Sequence, residues 1–358
     1  MKSASFFWHL SLFWHLIFLL FLTSGCQITY YMKSAWNQAR ILDKRIPIET
    51  ALKNPKLSTQ VKNKLRLAQE AREFAEKNLK LKTTDNYTSY VDIKRPYVSW
   101  IVRVSPAYQL QHHYFKFPFI GKLPYKGFFS KEEAEQEAAK FPPKKFDTYV
   151  RGVTAYSTLG WFDDPILNTM IKYKEDELVA LIIHETVHAT IYLKGQADFN
   201  ERLATFISHH GTKLFYLAKE GEHSPTLKLI KDKYTDRKLF SKFISQQIDS
   251  LKKWYSDNHG HVSPEMKKNR LNKIIQKFKQ DILIKRKTKN FTDFTRQQSL
   301  NNAILLSYKT YVYDLEDFER GFKHFDKNFD RFIEFCKSLK KVKDAEAELK
   351  KIALSAVD

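Results

Sequence analysis

Cysteine, glycine and proline are scarce in this chain, at 2, 10 and 11 of its 358 residues. Two cysteines make no disulfide framework, and Cys336 is left without a partner if Cys26 is modified. With so few glycines and prolines, a helix-rich architecture is expected. No unit of about 20–50 residues repeats, and no stretch has the low complexity of a linker. The chain also lacks any nucleic-acid motif, although its net charge is +21. Its lysines are spread along the sequence, so they read as solvated helix faces rather than a binding patch, and nucleic acid is not an expected partner.

Apolar residues make up 43% of the chain and aromatic ones 15%, enough for a large core in one unit or two packed lobes. The longest hydrophobic run, residues 6–22, follows Met1-Lys2 and precedes Thr23-Ser24-Gly25-Cys26. A charged start, an apolar core and small residues before a cleavage point make a secretory signal over residues 1–25. The cysteine after Ser-Gly resembles a bacterial lipobox, with the usual leucine displaced by one position to Leu22, so Cys26 becomes a lipidated first residue. The alternative is an uncleaved membrane anchor. Both place the body outside the cytoplasm, tethered to a membrane. Gln27 is not an acidic retention residue, which points to the outer membrane, facing the periplasm.

Beyond Cys26, residues 28–42 read as a helix leaving the membrane and 56–81 as an amphipathic helix. Residues 97–104 alternate and are rich in β-formers, so they predict a strand. A strand-and-turn segment over 115–129, a short helix over 131–141 and a second strand over 148–158 follow. Within the last, residues 150–157 are a candidate edge for pairing with a substrate backbone, with an ordinary core strand as the equal alternative. From His223 on, helices are expected over 227–255, 264–286, 294–313 and 318–354. The fold class is therefore mainly α with a small mixed sheet (α+β). A lobe over 26–220 carries the sheet and a central pair of helices, and a helical lobe covers 221–358.

Residues 178–192 are apolar almost all round, the pattern of a buried helix, yet His184, Glu185 and His188 are set into it. Polar groups there are costly unless something satisfies them. Residues i and i+4 share a helical face, so both imidazoles can meet one metal ion, with Glu185 beside them able to act on a water. This is the His-Glu-x-x-His arrangement of zinc hydrolases, and Zn2+ is the expected cofactor. After a break at Gly195, with Asp198 expected as N-cap, a helix over 199–216 carries Asn200-Glu201, and Glu201 is the candidate third ligand, as in gluzincins. Glu185 is the candidate general base. Tyr156, Tyr308, Tyr311 and His210 are candidate donors to a developing oxyanion. Asp163 and Asp164 could hold a substrate amine, though turn chemistry before Pro165 is the stronger reading. Asn301 and Asn302 read as buried hydrogen-bonders that line the cleft or cap a helix.

Several of these blocks stand in one order along the chain. They are Gly25-Cys26, Tyr30-Tyr31, Gln38-Ala39, residues 87–100, residues 118–129, Tyr156-Ser-Thr-Leu-Gly-Trp-Phe-Asp-Asp-Pro165, His184-Glu-Thr-Val-His188, Phe199-Asn-Glu201, Ala204-Thr205 and Asn301-Asn-Ala303. Together they resemble the bacterial predicted aminopeptidase family, exported lipoproteins with a gluzincin-type zinc motif. The resemblance implies a zincin-like fold, zinc on His184, His188 and Glu201, and peptide hydrolysis with Glu185 as base. Thr186-Val187 stands where that family has Leu-Ala, and Ser208 where an acidic residue is expected behind a ligand. The expected partners are a peptide and the membrane. The alternatives are a non-catalytic envelope scaffold with a structural or relict zinc site, and a binder of anionic surfaces.

Overall fold

The computed structural model describes residues 28–117, 121–155, 158, 162–296, 299–311 and 315–355. The signal segment, Cys26 and Tyr156 lie outside the described residues, as does the side chain of Tyr311. Helix α1, residues 28–43, belongs to one compact unit, Met1–Arg45. All remaining elements belong to a second, Ile46–Asp358.

The second unit opens with β1 (Ile46–Pro47), α2 (Ile48–Lys53) and α3 (Thr59–Lys77). A β-rich stretch follows: β2 (Ser89–Val91), β3 (Ser99–Pro106), β4 (Phe115–Phe117), β5 (Gly121–Leu123), β6 (Lys126–Phe128), α4 (Lys131–Ala139), β7 (Phe146–Val153) and β8 (Ile166–Leu167). The rest is helical: α5 (Glu175–Thr190), α6 (Ala197–Glu220), α7 (Pro225–Asp257), α8 (Pro264–Asp281), α9 (Thr292–Arg296), α10 (Asn302–Tyr311), α11 (Glu316–His324), α12 (Phe329–Ser338) and α13 (Ala345–Ser355). Helices dominate and the sheets are small, as the sequence suggests. The expected single sheet is instead three small ones: β1-β2-β8, β6-β3-β7 and the β4-β5 pair. Only the first is mixed, with β2 parallel to β8.

Helix starts follow their caps. Ser58, Ser130, Ser224 and Ser263 each accept a backbone N–H of the turn they open, and Pro225 and Pro264 occupy first-turn positions where no donor is needed. At several helix ends the chain turns without glycine, so the sequence does not signal them. Lys80, Phe291, Asp326 and Lys327 all sit at positive φ, between 52° and 61°. Asp326 and Lys327 separate α11 from α12, and Asn328 then caps α12. The stretch 318–354 is therefore not one helix but three, and 294–313 divides into α9 and α10.

Helix α5 is the buried strut of this unit. It packs against α3 on one side and α6 on the other. Leu178, Val179, Ile182, Ile183 and Val187 are fully buried. Gly211 lets α6 approach this closely, since a Cβ there would lie 2.6 Å from Leu79 Cδ1 and 3.3 Å from Ile183 Cγ2. A separate aromatic core, including Phe240, Phe243, Phe278 and Phe294, fills the space among α7, α8, α9 and α10. Tyr308 belongs to it, packing on Phe240 and Phe294.

Strand β7 is the outer strand of its sheet. Ala107 N–H donates to Lys145 O, so hydrogen-bonded pairs fall at Ser105/Asp147, Arg103/Tyr149 and Ile101/Arg151. Thr148, Val150 and Gly152 therefore turn their backbone groups away from β3. Asn301 Nδ2 takes up the first of these, donating to Thr148 O at 3.0 Å.

Candidate metal centre

Helix α5 places His184, Glu185 and His188 in one turn, and the short turn after Thr190 brings α6 back alongside. Asn200 closes that turn. Its Oδ1 accepts Leu193 N–H at 2.9 Å and its Nδ2 donates to Leu193 O at 2.8 Å. At 2% exposure this amide has no water to replace those bonds. The next residue, Glu201, thereby faces α5. Asp198 is not the cap of α6. Gln196 holds that position without a side-chain bond, and Asp198 lies in the first turn, where its charge suits the helix dipole.

The three expected ligands converge. His184 Nε2 and His188 Nε2 are 3.1 Å apart. Glu201 Oε2 lies 3.5 Å from His184 Nε2, and its Oε1 lies 3.4 Å from His188 Nε2. These three side chains form a group whose ligand atoms all lie within 4.8 Å of one another. Tetrahedral Zn2+ with bonds of about 2.0–2.1 Å holds its donors about 3.3 Å apart, so the spacing and the donor types fit that ion. The group opens to solvent on one side: the side chains of His188, His184 and Glu201 are 5%, 20% and 41% exposed.

Electrostatics ties the trio together. Burial alone would raise the Glu201 carboxyl, but hydrogen bonds and charge from the two imidazoles hold it well below the usual carboxylate range. Burial opposes protonation of His188, yet Glu201 and the charge of Glu185 hold its pKa above the ordinary imidazole value. His188 Nδ1 is buried and has no hydrogen-bond partner among the described residues. Ser208, where an acid was expected, donates to Thr205 O at 3.1 Å.

Both ends of α5 are pinned by lysines. Lys233 donates to Asp176 at 2.5 Å and to Glu177 at 2.8 Å in the first turn. Lys340 donates to Thr190 O at 2.6 Å at the last, where a cation suits the dipole. Lys82 N–H donates to Thr190 Oγ1 at 2.9 Å, fastening the same end to the chain after α3.

Two tyrosines that the sequence reading did not single out feel the charge of the centre. Tyr87 is buried and sits at φ 63°, a costly conformation for an aromatic residue. Burial first, then the charges of Glu185 and Asp164, keep its phenol protonated well above the usual range. Tyr192, just after α5, is half-exposed, and its phenol is raised by burial and then by Glu201. Tyr192 follows His188 by four residues, whereas no local pattern marks Tyr87, which only the tertiary fold brings here.

The other candidates lie elsewhere. His210 Nε2 is 3.3 Å from Glu319 Oε1 on α11. Tyr308 is a core residue. Asn301 caps α10 through Ile304 N–H at 2.8 Å. Asn302 is fully buried, donates to Pro106 O and Ala107 O, and accepts from Tyr255. Asp164 has the turn role: its carboxylate accepts Thr158 N–H at 2.8 Å, its N–H donates to Asn86 Oδ1 at 2.8 Å, and its carbonyl accepts Tyr87 N–H at 2.7 Å. That clamp sets the Tyr87 backbone beside the centre.

Two imidazoles from one helix and a carboxylate from the next, with Glu185 between the two histidines in sequence, define a chain with a candidate site for a single metal ion. Its family is shown independently. The family model described as "Putative aminopeptidase" matches residues 29–351, and the chain belongs to that family. No curated protein and no solved structure matches it.

Proposed function

We propose that this protein is a zinc-dependent peptidase of the gluzincin type, acting as an aminopeptidase, with a zincin-like arrangement of its central helices. His184, His188 and Glu201 are its metal ligands and Glu185 its general base. The observation that carries this reading is the meeting of the three ligand atoms, with Glu185 directly after His184 in the chain. Family membership supports a peptidase. Zinc, when bound, supplies a Lewis acid that polarises a carbonyl and brings the pKa of a water toward neutrality.

The chain's own residues do the rest. Asn200 positions Glu201, and the lysines at both ends of α5 hold the two imidazoles in register. Glu185 takes the proton of the attacking water and passes it to the leaving amine. Tyr87, protonated at neutral pH, is an O–H donor within electrostatic reach of that base. The outward backbone groups of Val150 and Gly152 offer an extended peptide an edge on which to pair. The lipobox-like Cys26 supports a lipid-anchored place in the bacterial cell envelope, on the outer membrane facing the periplasm. No described helix is long and apolar enough to cross a membrane.

The test uses peptides with free and with acetylated N-termini, each assayed with zinc and with chelator. Zinc-dependent cleavage confined to free N-termini is expected. Cleavage that survives chelation would overturn the metal reading. Equal cleavage of acetylated peptides would overturn the aminopeptidase assignment alone.

A further inference from the structure

Helix α1 carries one stripe of apolar residues on the wrong side for a helix in water. Ile28, Met32, Ala35, Trp36 and Ala39 recur at steps of three and four, so they share one face, and all are exposed. Met32 is 67% exposed and Trp36 66%. The less exposed side holds Tyr30, Tyr31, Ser34, Gln38 and Ile41. About 100° round from the apolar stripe runs a second one, in which Lys33, Arg40 and Lys44 are also exposed. The single acid of this helix, Asp43, is exposed at the C-terminal end of the apolar stripe, four residues after Ala39.

We propose that α1 lies flat on an anionic lipid surface, with Ile28, Met32 and Trp36 in the headgroup–acyl boundary and Lys33, Arg40 and Lys44 among the headgroups. Three features favour lipid as the occupant. An apolar stripe bordered on one flank by cations is the pattern of an interfacial helix. Tryptophan favours the membrane–water boundary. The sequence places the attachment point at one end of the helix: the apolar run over residues 6–22, or an acyl group on Cys26, stands immediately before it. This inference rests on the anchor reading above and is independent of the catalytic one. It gives the tether a second contact with the membrane.

The experiment uses the full chain reconstituted in vesicles of phosphatidylethanolamine and phosphatidylglycerol. Met32→Cys, Trp36→Cys, Asn37→Cys and Lys44→Cys each carry an environment-sensitive fluorophore, and the parent chain, whose Cys336 is buried, gives the labelling background. Brominated lipids should quench the probes at 32 and 36 about threefold or more above those at 37 and 44. Equal quenching at all four positions would overturn the proposal while leaving the anchor in place. Failure of the full chain to sediment with vesicles would overturn both. Cross-linking of Met32→Cys or Trp36→Cys between two copies in detergent, without lipid quenching, would assign the face to a second copy instead. Peptide hydrolysis on the same samples reads the catalytic claim separately.

Discussion

Glu201 reaches the two imidazoles because the residue before it closes the turn. Asn200→Ala removes both bonds to Leu193 and leaves that buried N–H unpaired, while Leu193 O keeps the Gln196 N–H, at a cost of about 1–3 kcal/mol. The same change should weaken zinc binding about 10–100-fold, as loss of an orienting contact does. Denaturant unfolding and competition with a zinc chelator check the two halves. At this scale much of the site was legible. The i, i+4 spacing announced His184 and His188, and a following helix opening on Asn-Glu announced Glu201. What could not be read was anything set by distant contacts. Lys340 reaches α5 from 150 positions away, and Asn86 and Asp164 set the Tyr87 backbone across 78. Tyr308 and His210 carried suitable chemistry but proved to serve an aromatic core and an ion pair to α11.

Helix α6 has no side chain at Gly211, where it packs against Ile183 of α5 and against Leu79. Gly211→Ala would press a methyl onto Leu79 and Ile183, destabilising the fold by about 1–3 kcal/mol, measurable as a lower denaturant midpoint with unchanged slope. On its other side α6 meets α7 and α11 through a titratable junction. Glu319 accepts from the Tyr234 hydroxyl and pairs with His210, while His209 stacks on the Tyr234 ring at 3.9 Å. Burial would raise Glu319, but the bonds from His210 and Tyr234 bring it down to about 2. Burial, then the charge of His210, lowers His209 to about 3. Both folded values lie below the ordinary ones. The stability these groups contribute is thus complete above about pH 6.5 and lost as pH falls toward 3 and below. Unfolding midpoints should drop across that window, and the deficit of Glu319→Gln at neutral pH should narrow below about pH 4.5. Helix existence was visible in the apolar spacing, because it is a local property. The ends of α11 and α12 were not, since Asp326 and Lys327 take a backbone conformation that the sequence usually signals with glycine.

At the scale of the whole molecule, one large part of the apolar core stands apart from the candidate centre. The aromatic cluster of α7, α8, α9 and α10 contains none of the three candidate ligands. Removal of zinc should therefore abolish activity yet leave a cooperative unfolding transition, with the metal-loaded protein more stable by about 2.7 kcal/mol when free zinc stands a hundredfold above its dissociation constant. The mainly helical class followed from the scarcity of glycine and proline. The division of the strands into three small sheets did not, because two- and three-residue strands carry no periodicity to read. The account as a whole rests on Glu185 acting beside a metal held by His184, His188 and Glu201. The most direct test compares wild type with Glu185→Gln, measuring zinc content and peptide hydrolysis on the same samples. One zinc per chain in both proteins, with the rate of the variant down about 10²–10⁴-fold, is the predicted result. A variant that holds zinc and still cleaves at the wild-type rate would contradict it.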